Sequence, residues 1–320
     1  MLAFGGFLIE WSFSRHPHFL RILSRPIMSM HTQSHKLAIV QLQSTNDTEH
    51  NFRQCQSLVH DAALQGASFI SLPECFEFIG ETTRDALSVA QPLDGPLFSR
   101  YRELAAKEQV WLSLAGFHEK GPDEAHIYNT HVVVDPKGSI VAIYRKLHLF
   151  DVDIQDGRIS ESQTTAAGKE MVIVSNTPIG HVGLTTCYDI RFPELYSCLA
   201  GHGADVILVP SAFFPSTGEA HWEVLLRARA IENEVYIAAA AQVGKHNDKR
   251  SSYGHSMIVD PWGMIIGQLG KNENQYCLCS IDREYVQSIR QRIPKWKHRR
   301  DDIYGRPIRP QIISYRSSSG

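Results

Sequence analysis

Three residues of this 320-residue chain, Glu74, Lys146 and Cys187, each directly follow or end a run that is typical of a β-strand. In layered α/β folds, ligands bind where the carboxyl ends of strands meet. We therefore expect these three side chains to lie close together. A carboxylate beside a thiol can take its proton and activate the sulfur for attack on an acyl carbon. The ammonium would favour the thiolate and then face the oxyanion of the tetrahedral intermediate, helped by the backbone N–H of Tyr188.

Each of the three residues also has a structural interpretation when it is taken alone. Free cysteine is among the residue types most often buried. A glutamate after Pro73 is typical of an acid at a helix start, and a lysine at a hairpin end is commonly a solvated edge charge. Their joint appearance at strand ends therefore needs further context before it indicates a nucleophilic site.

The elements that must position these residues alternate along the chain from Lys36 onward, with apolar strands followed by amphipathic helices. Helices are predicted over about residues 46–66, 96–107 and 219–233. Residues 150–169 are predicted to form a polar loop. Two Asp-Pro-x-Gly turns, at residues 135–138 and 260–263, predict one β-hairpin in each half. The pattern predicts an α/β layered domain of mixed sheets with an internal pseudo-repeat.

Composition argues against several classes of partner. The formal charge is −2, with 32 Lys and Arg against 34 Asp and Glu, so no nucleic-acid or membrane partner is predicted. The six cysteines show no framework spacing, which favours reduced thiols in a cytosolic or mitochondrial compartment. Cys277 and Cys279 share one face of a predicted strand, but nothing else in the sequence has zinc-type spacing. No metal site is predicted.

The two ends of the chain differ from the domain predicted over residues 36–285. Residues 1–35 contain three arginines and a single acidic residue, Glu10, which is typical of a mitochondrial transit peptide; a disordered extension is the alternative. Alternative starts at Met28 or Met30 would omit the segment, so we predict both mitochondrial and cytoplasmic localisation. The basic tail, residues 286–320, is predicted to be solvated or to pack at a dimer interface.

Three segments resemble the signature segments of the carbon–nitrogen hydrolase (nitrilase-like) family. They are Leu72-Pro73-Glu74, Tyr-Arg-Lys-Leu-His-Leu at 144–149, and Cys-Tyr-Asp-Ile-Arg-Phe-Pro-Glu at 187–194. The resemblance runs from about Lys36 to Asp282. It implies a four-layer αββα sandwich that assembles as a homodimer or larger homo-oligomer. It also implies that no metal or cofactor is needed.

The resemblance assigns roles by position. Glu74 corresponds to the general base, Lys146 to the cation that stabilises the oxyanion and Cys187 to the nucleophile. Glu161 is the best match to the second glutamate that some members use. The candidate substrate-binding residues are Tyr188, Arg191, Ser211, His221 and Trp222.

Several of these binding roles have structural alternatives. Arg191 suits a clamp on a substrate carboxylate, but an ion pair with Asp189 or Glu194 is equally compatible with the sequence. Trp222 could shape the acyl pocket or lie in the core. His221 could assist binding or could cap a helix.

Stretches at residues 115–119, 221–232 and 252–257 resemble most closely the family members that act on deaminated glutathione, in which a keto group replaces the amino group. The resemblance thus implies a cysteine-dependent amidase that forms α-ketoglutarate and Cys-Gly through a thioester. One alternative is an ω-amidase acting on α-ketoglutaramate. The other is an inactive scaffold with Cys187 in its core, although a scaffold has no need of the Glu, Lys and Cys together.

Overall fold

The structure is a computed structural model that describes residues 35–154 and 157–315. The predicted targeting segment lies outside these ranges, apart from its last residue, His35. It therefore stays a prediction.

The first half of the chain contains the strands that precede Glu74 and Lys146. In chain order its elements are β1 (Lys36–Gln41), α1 (Thr48–Leu64), β2 (Ala67–Ser71), α2 (Asp85–Val89), α3 (Pro96–Glu108), β3 (Trp111–Asp123), β4 (His126–Val134), β5 (Ile140–Arg145), β6 (Asp151–Ile154) and β7 (Gly157–Ser160). A short 3₁₀ helix, Glu161–Gln163, follows.

The second half repeats the alternation of strands and helices. It contains β8 (Val172–Thr177), β9 (Gly180–Leu184), a 3₁₀ helix (Cys187–Arg191), α4 (Pro193–Gly201), β10 (Val206–Leu208), α5 (Pro215–Asn233), β11 (Tyr236–Ala239), β12 (Val243–Lys245), β13 (Ser251–Tyr253), β14 (Met257–Val259), β15 (Ile265–Gln268), β16 (Gln275–Ser280), α6 (Arg283–Arg292), α7 (Lys295–His298), α8 (Asp301–Tyr304) and β17 (Gln311–Ser314).

Two mixed sheets carry most of these strands. The first has the order β16-β1-β2-β3-β4-β5, with β1, β2 and β3 parallel and the other pairs antiparallel. The second has the order β15-β14-β11-β10-β9-β8-β17, with β9, β10 and β11 parallel at its centre. Each sheet ends in one of the two Asp-Pro-x-Gly hairpins, β4–β5 and β14–β15. This correspondence supports the predicted pseudo-repeat.

Alternation along the strands divides the core into three layers of side chains. In β1, Ala38 and Val40 pack against α1 and α3, whereas Leu37 and Ile39 face the second sheet. In β10, Ile207 packs against α4 and α5, while its neighbours face the first sheet. The order of layers is thus helices, sheet, sheet, helices. The predicted αββα sandwich is confirmed.

The prediction of a polar loop over residues 150–169 is wrong, because β6 and β7 pair there as an antiparallel hairpin. Its strands have four residues each, too short for a clear alternation of apolar and polar positions. In addition, α5 begins at Pro215 rather than near residue 219, since proline suits the first turn of a helix.

The predicted tail, residues 286–320, begins within α6. It also supplies β17, which pairs in parallel with β8 at the edge of the second sheet. No helix in the described ranges has the length and apolar character needed to cross a bilayer.

Candidate active site

Glu74 and Lys146 lie at one edge of the first sheet, and Cys187 lies at the facing edge of the second. Glu74 follows β2 and Lys146 follows β5. Because β5 and β3 are both antiparallel to β4, β5 ends on the same side as the parallel strands. Cys187 begins the turn that follows β9. Glu74, Lys146 and Cys187 thus lie together at one end of the sandwich, as the sequence analysis predicts.

The Lys146 ammonium lies between two carboxylates. Its Nζ donates to Glu74 Oε1 at 3.1 Å and to the two Glu161 oxygens at 2.9 and 3.1 Å. The side chain of Lys146 is only 3% exposed. Glu161 Oε2 also accepts a hydrogen bond from the Phe150 N–H at 2.7 Å, which fixes its position. The structure therefore brings Glu161 into the same cluster as Glu74 and Lys146.

The Glu74 carboxylate is oriented by groups from four separate segments. Oε1 accepts from Asn129 Nδ2 at 2.9 Å, and Oε2 accepts from the Ala212 N–H at 3.0 Å. The Cys187 thiol lies close enough to this carboxylate for each group to shift the pKa of the other. Gly116, with φ +72°, allows the close approach, since a Cβ there would overlap Cγ of Glu74. The acid that could take the thiol proton is thus held against it.

Cys187 has a left-handed backbone conformation, with φ +49°. Non-glycine residues rarely adopt this conformation, and it is found most often at functional sites. The Cys187 N–H donates to Pro210 O at 2.9 Å, which ties the turn to the end of β10. Across the turn, the Thr186 N–H donates to Asp189 Oδ2 at 2.8 Å and the Asp189 N–H donates to Thr186 O at 3.1 Å.

Asp189 joins the lysine segment to the cysteine turn. This carboxylate is fully buried and accepts from the Tyr144 hydroxyl at 2.6 Å and the Thr186 N–H at 2.8 Å. It also contacts His148 through the backbone N–H at 3.2 Å and through Nδ1 at 2.7 Å. Tyr144 and His148, each two positions from Lys146, therefore share one acceptor with Thr186, which directly precedes Cys187. The arrangement positions both candidate residues.

The backbone N–H of Tyr188 is available for an oxyanion. Within residues 35–154 and 157–315, it has no hydrogen-bond acceptor. An unused N–H beside a nucleophile, together with the Lys146 ammonium, is the arrangement that stabilises a tetrahedral intermediate.

Burial and the charge of Glu74 keep Cys187 protonated at rest. Burial raises the pKa of Cys187 well above its ordinary range, and the negative charge of Glu74 adds to this effect. Lys146 does favour the thiolate, but burial and Glu74 outweigh it. Burial alone would raise the pKa of Glu74, yet the Lys146 charge and the nearby thiol hold it below its usual value. The resting pair is thus a thiol and a carboxylate.

Lys146 remains charged despite its burial. Burial alone would lower its pKa, but the carboxylates of Glu161 and Glu74 raise it well above the ordinary value. The site therefore presents a permanent cation to a substrate oxygen.

These groups line a cavity of about 510 Å³, within the range of volumes that hold small-molecule ligands. Arg191 lines the same cavity and donates from Nη2 to His221 Nδ1 at 3.2 Å. Of the carboxylates in the described residues, none is within ion-pair distance of Arg191, and Asp189 is occupied elsewhere. Its guanidinium is thus free to bind an anionic group.

The other predicted binding residues have different positions. Tyr188 lines the cavity with Phe213, whereas Ser211, His221 and Trp222 do not. Ser211 is fully buried and donates to Val209 O at 3.0 Å. Trp222 is 1% exposed and packs behind Phe213, with Nε1 donating to His255 O at 2.7 Å. Trp222 therefore supports the cavity wall from the core.

Comparison with known proteins agrees with this geometry. Residues 36–291 match the sequence profile of the carbon-nitrogen hydrolase family. The chain belongs to the carbon–nitrogen hydrolase family. It is 47% identical over 273 residues to deaminated glutathione amidase of Homo sapiens, covering 84% of this chain and 83% of that protein. It is 46% identical over 277 residues to the Dictyostelium discoideum protein of the same name, covering 84% and 95%.

A solved structure gives the same result for the fold. The crystal structure of the C. elegans NitFhit protein has a TM-score of 0.80 and 47% sequence identity. The match covers 84% of this chain and 66% of that one, so the chain spans about two thirds of that protein.

In this carbon–nitrogen hydrolase, sequence reasoning missed three groups that hold the candidate carboxylates. They are the Asn129 side chain and the N–H groups of Phe150 and Ala212. The Lys146 N–H donates to Asn129 O at 2.9 Å, which places Asn129 opposite Lys146 beside the β4–β5 hairpin. A polar residue at that position was the one sequence signal that could have identified Asn129 as part of the site. Backbone donors leave no signal in the residue type.

We expect Glu74→Gln to lower the pKa of Cys187 relative to the wild type, while burial continues to raise it. The substitution removes the negative charge that disfavours the thiolate but leaves the Lys146 ammonium in place. Thiolate absorbance in the ultraviolet, titrated with pH and corrected with a Cys187→Ala blank, measures this shift. A pKa in Glu74→Gln equal to or above that of the wild type contradicts the electrostatic account.

Proposed function

We propose that this chain is a cysteine-dependent amidase that hydrolyses deaminated glutathione to α-ketoglutarate and Cys-Gly. The observation that carries the proposal is the buried cluster of Cys187, Glu74 and Lys146 at the wall of a cavity of about 510 Å³, with Lys146 Nζ 3.1 Å from Glu74 Oε1. This arrangement supplies a base, a nucleophile and an oxyanion site for cleavage of an amide.

The first half of the proposed reaction forms a thioester. Glu74 takes the thiol proton as the Cys187 sulfur attacks the amide carbon. Lys146 and the Tyr188 N–H stabilise the oxyanion that develops on the carbonyl oxygen. Glu74 then gives its proton to the nitrogen, the C–N bond breaks and Cys-Gly leaves as the free amine.

The second half hydrolyses the thioester. Glu74, now ionised again, takes a proton from water as the water oxygen attacks the thioester carbon. The C–S bond breaks, the α-ketoglutarate acid leaves and the proton returns to the sulfur. One water is consumed for each amide bond cleaved.

Two observations support deaminated glutathione as the substrate. The relatives reported above carry the name deaminated glutathione amidase, at 46–47% identity over 84% of this chain. The unpaired guanidinium of Arg191 at the cavity wall suits the carboxylate of an α-keto acid.

A comparison of two substrates tests the proposal. The rate of α-ketoglutarate release is measured with deaminated glutathione and with α-ketoglutaramate at matched enzyme concentrations. We expect kcat/KM to be at least about 10-fold higher for deaminated glutathione, because it makes contacts beyond the reacting amide. The opposite order favours an ω-amidase, and turnover of neither compound favours the inactive scaffold.

The homo-oligomeric state and the mitochondrial and cytoplasmic location also remain proposals. The first is supported by the family resemblance and the second by the composition of residues 1–35. Light scattering on the purified protein and imaging of a C-terminal fluorescent fusion would test them.

A further inference from the structure

A turn between β12 and β13 forms part of the cavity wall away from the nucleophile. His246 anchors this turn, with Nδ1 bonded to Ser44 O and Nε2 to Ser252 Oγ, both at 2.8 Å. Asn247 Nδ2 donates to Gly80 O at 3.1 Å. The N–H groups of His246 and Asn247 both donate to Arg250 O, at 3.0 and 3.3 Å. The backbone that carries Arg250 is therefore held from several sides.

The basic residues of this turn differ in whether an acid neutralises them. Lys245 pairs with Asp248 at 2.7 Å, and Lys249 pairs with Glu81 at 3.0 Å. Arg250 is half-buried and lines the cavity. Across the described ranges, no carboxylate lies within ion-pair distance of its guanidinium, and the nearby acids Asp248 and Glu81 pair with Lys245 and Lys249. Among the basic residues of this turn, Arg250 is thus the one without an ion pair in the described ranges, and it can bind an anionic ligand.

His246, the histidine of the same turn, does not compete with Arg250 for an anion. Burial, together with the nearby Arg250 charge, lowers the pKa of His246 to about 4, so this imidazole is neutral near pH 7. Arg250 therefore offers an uncompensated charge on a fixed backbone at the cavity wall.

Arg250 and Arg191 line the cavity from two different segments of the chain. Arg191 lies on the cysteine turn near Tyr188 and Phe213. Arg250 lies on the β12–β13 turn, which contacts the segment around Gly80. Deaminated glutathione likewise has carboxylates at its two ends, one on the keto acid and one on the glycine, with the scissile amide between them. α-Ketoglutaramate has only the carboxylate on the keto acid.

We propose that Arg250 binds the glycine carboxylate of the substrate and thereby makes this enzyme prefer amides with a carboxylate at each end. This assignment rests on the proposed amidase function and deepens it. A guanidinium is suited to the task because it donates to a carboxylate through two parallel hydrogen bonds.

The test compares deaminated glutathione with its C-terminal amide, in which a carboxamide replaces the glycine carboxylate. For the wild type we expect kcat/KM to be about 10- to 100-fold higher with the acid, mainly through KM, because the contact is remote from the reacting carbon. Arg250→Gln should lower kcat/KM for the acid by the same factor. It should leave the C-terminal amide within about 3-fold and so abolish the preference.

Two further variants complete the design. Arg250→Lys keeps the charge and should retain part of the preference. Lys245→Gln removes a positive charge from the same turn, but outside the cavity, and should retain all of it. If Arg250→Gln still has a higher kcat/KM for the acid than for the C-terminal amide, this proposal is overturned, even when kcat/KM falls equally for both substrates. The proposed amidase function is not affected by that result. A wild type that cleaves neither substrate overturns the proposed function itself.

Discussion

Replacing Cys187 with alanine is expected to lower kcat by at least about 10⁴-fold, because loss of the nucleophile removes the covalent route altogether. The fold should persist. The turn is held by the hydrogen bond from the Cys187 N–H to Pro210 O and by the hydrogen bonds between Thr186 and Asp189, and none of these uses the sulfur. Rates measured under saturating substrate, with the thermal midpoint alongside, check both expectations.

A matched control separates the loss of the nucleophile from the loss of any buried cysteine. Cys198 is also buried, but it lies on α4 and does not line the cavity. Cys198→Ala should therefore keep activity within a few-fold of the wild type. Mass spectrometry during turnover should show an acyl adduct on the wild type and none on Cys187→Ala. Substantial turnover by Cys187→Ala contradicts the proposed mechanism.

Lys146→Ala is expected to destabilise the protein by roughly 3–5 kcal/mol, as is typical when one partner of a buried ion pair is removed. Glu74 and Glu161 would lose their shared cation, and the side chain of Glu74 is only 6% exposed. The thermal midpoint should fall by on the order of 10 °C. Activity, measured well below that midpoint, should fall by about 10²- to 10³-fold because an oxyanion donor is lost.

Two comparisons make the Lys146 result specific. Lys107→Ala removes an exposed lysine whose Nζ lies 3.7 Å from Glu108 Oε1, and should change stability by less than about 1 kcal/mol because Glu108 keeps its contact with His60. Adding Glu161→Gln to Lys146→Ala neutralises one stranded carboxylate. The double variant should recover part of the stability but none of the activity. An unchanged thermal midpoint in Lys146→Ala contradicts the account of the cluster.

The buried cluster explains how an unreactive thiol becomes a nucleophile only when substrate is present. Lys146 carries one positive charge, whereas Glu74 and Glu161 together carry two negative charges. This excess of negative charge and the burial keep the proton on Cys187. Transfer of the proton to Glu74 neutralises one carboxylate as the oxyanion forms, so the total charge near Lys146 is conserved through the attack. The resting enzyme is thereby protected from reactions of a free thiolate.

The sequence was sufficient for the fold class and for the central residues of the site. Hydrophobic periodicity predicts an α/β domain of alternating strands and helices, and the family resemblance implies the order of its layers. Glu74, Lys146 and Cys187 each lie at a predicted strand end, and the three family-like segments that contain them identify them as the site. Both properties depend on short stretches of chain.

Three properties could be obtained only from the tertiary structure. They are the protonation of Cys187, the hydrogen-bond partners of the carboxylates and the positions of the flanking residues. A pKa depends on burial and on distances to charges from segments far apart in sequence, such as Glu74 and Lys146. Asn129 and the Ala212 N–H contact Glu74 only once the sheets are packed. The same packing places Trp222 in the core and leaves Arg191 unpaired at the cavity wall, because local residue patterns contain no information on which side chains from distant segments become neighbours.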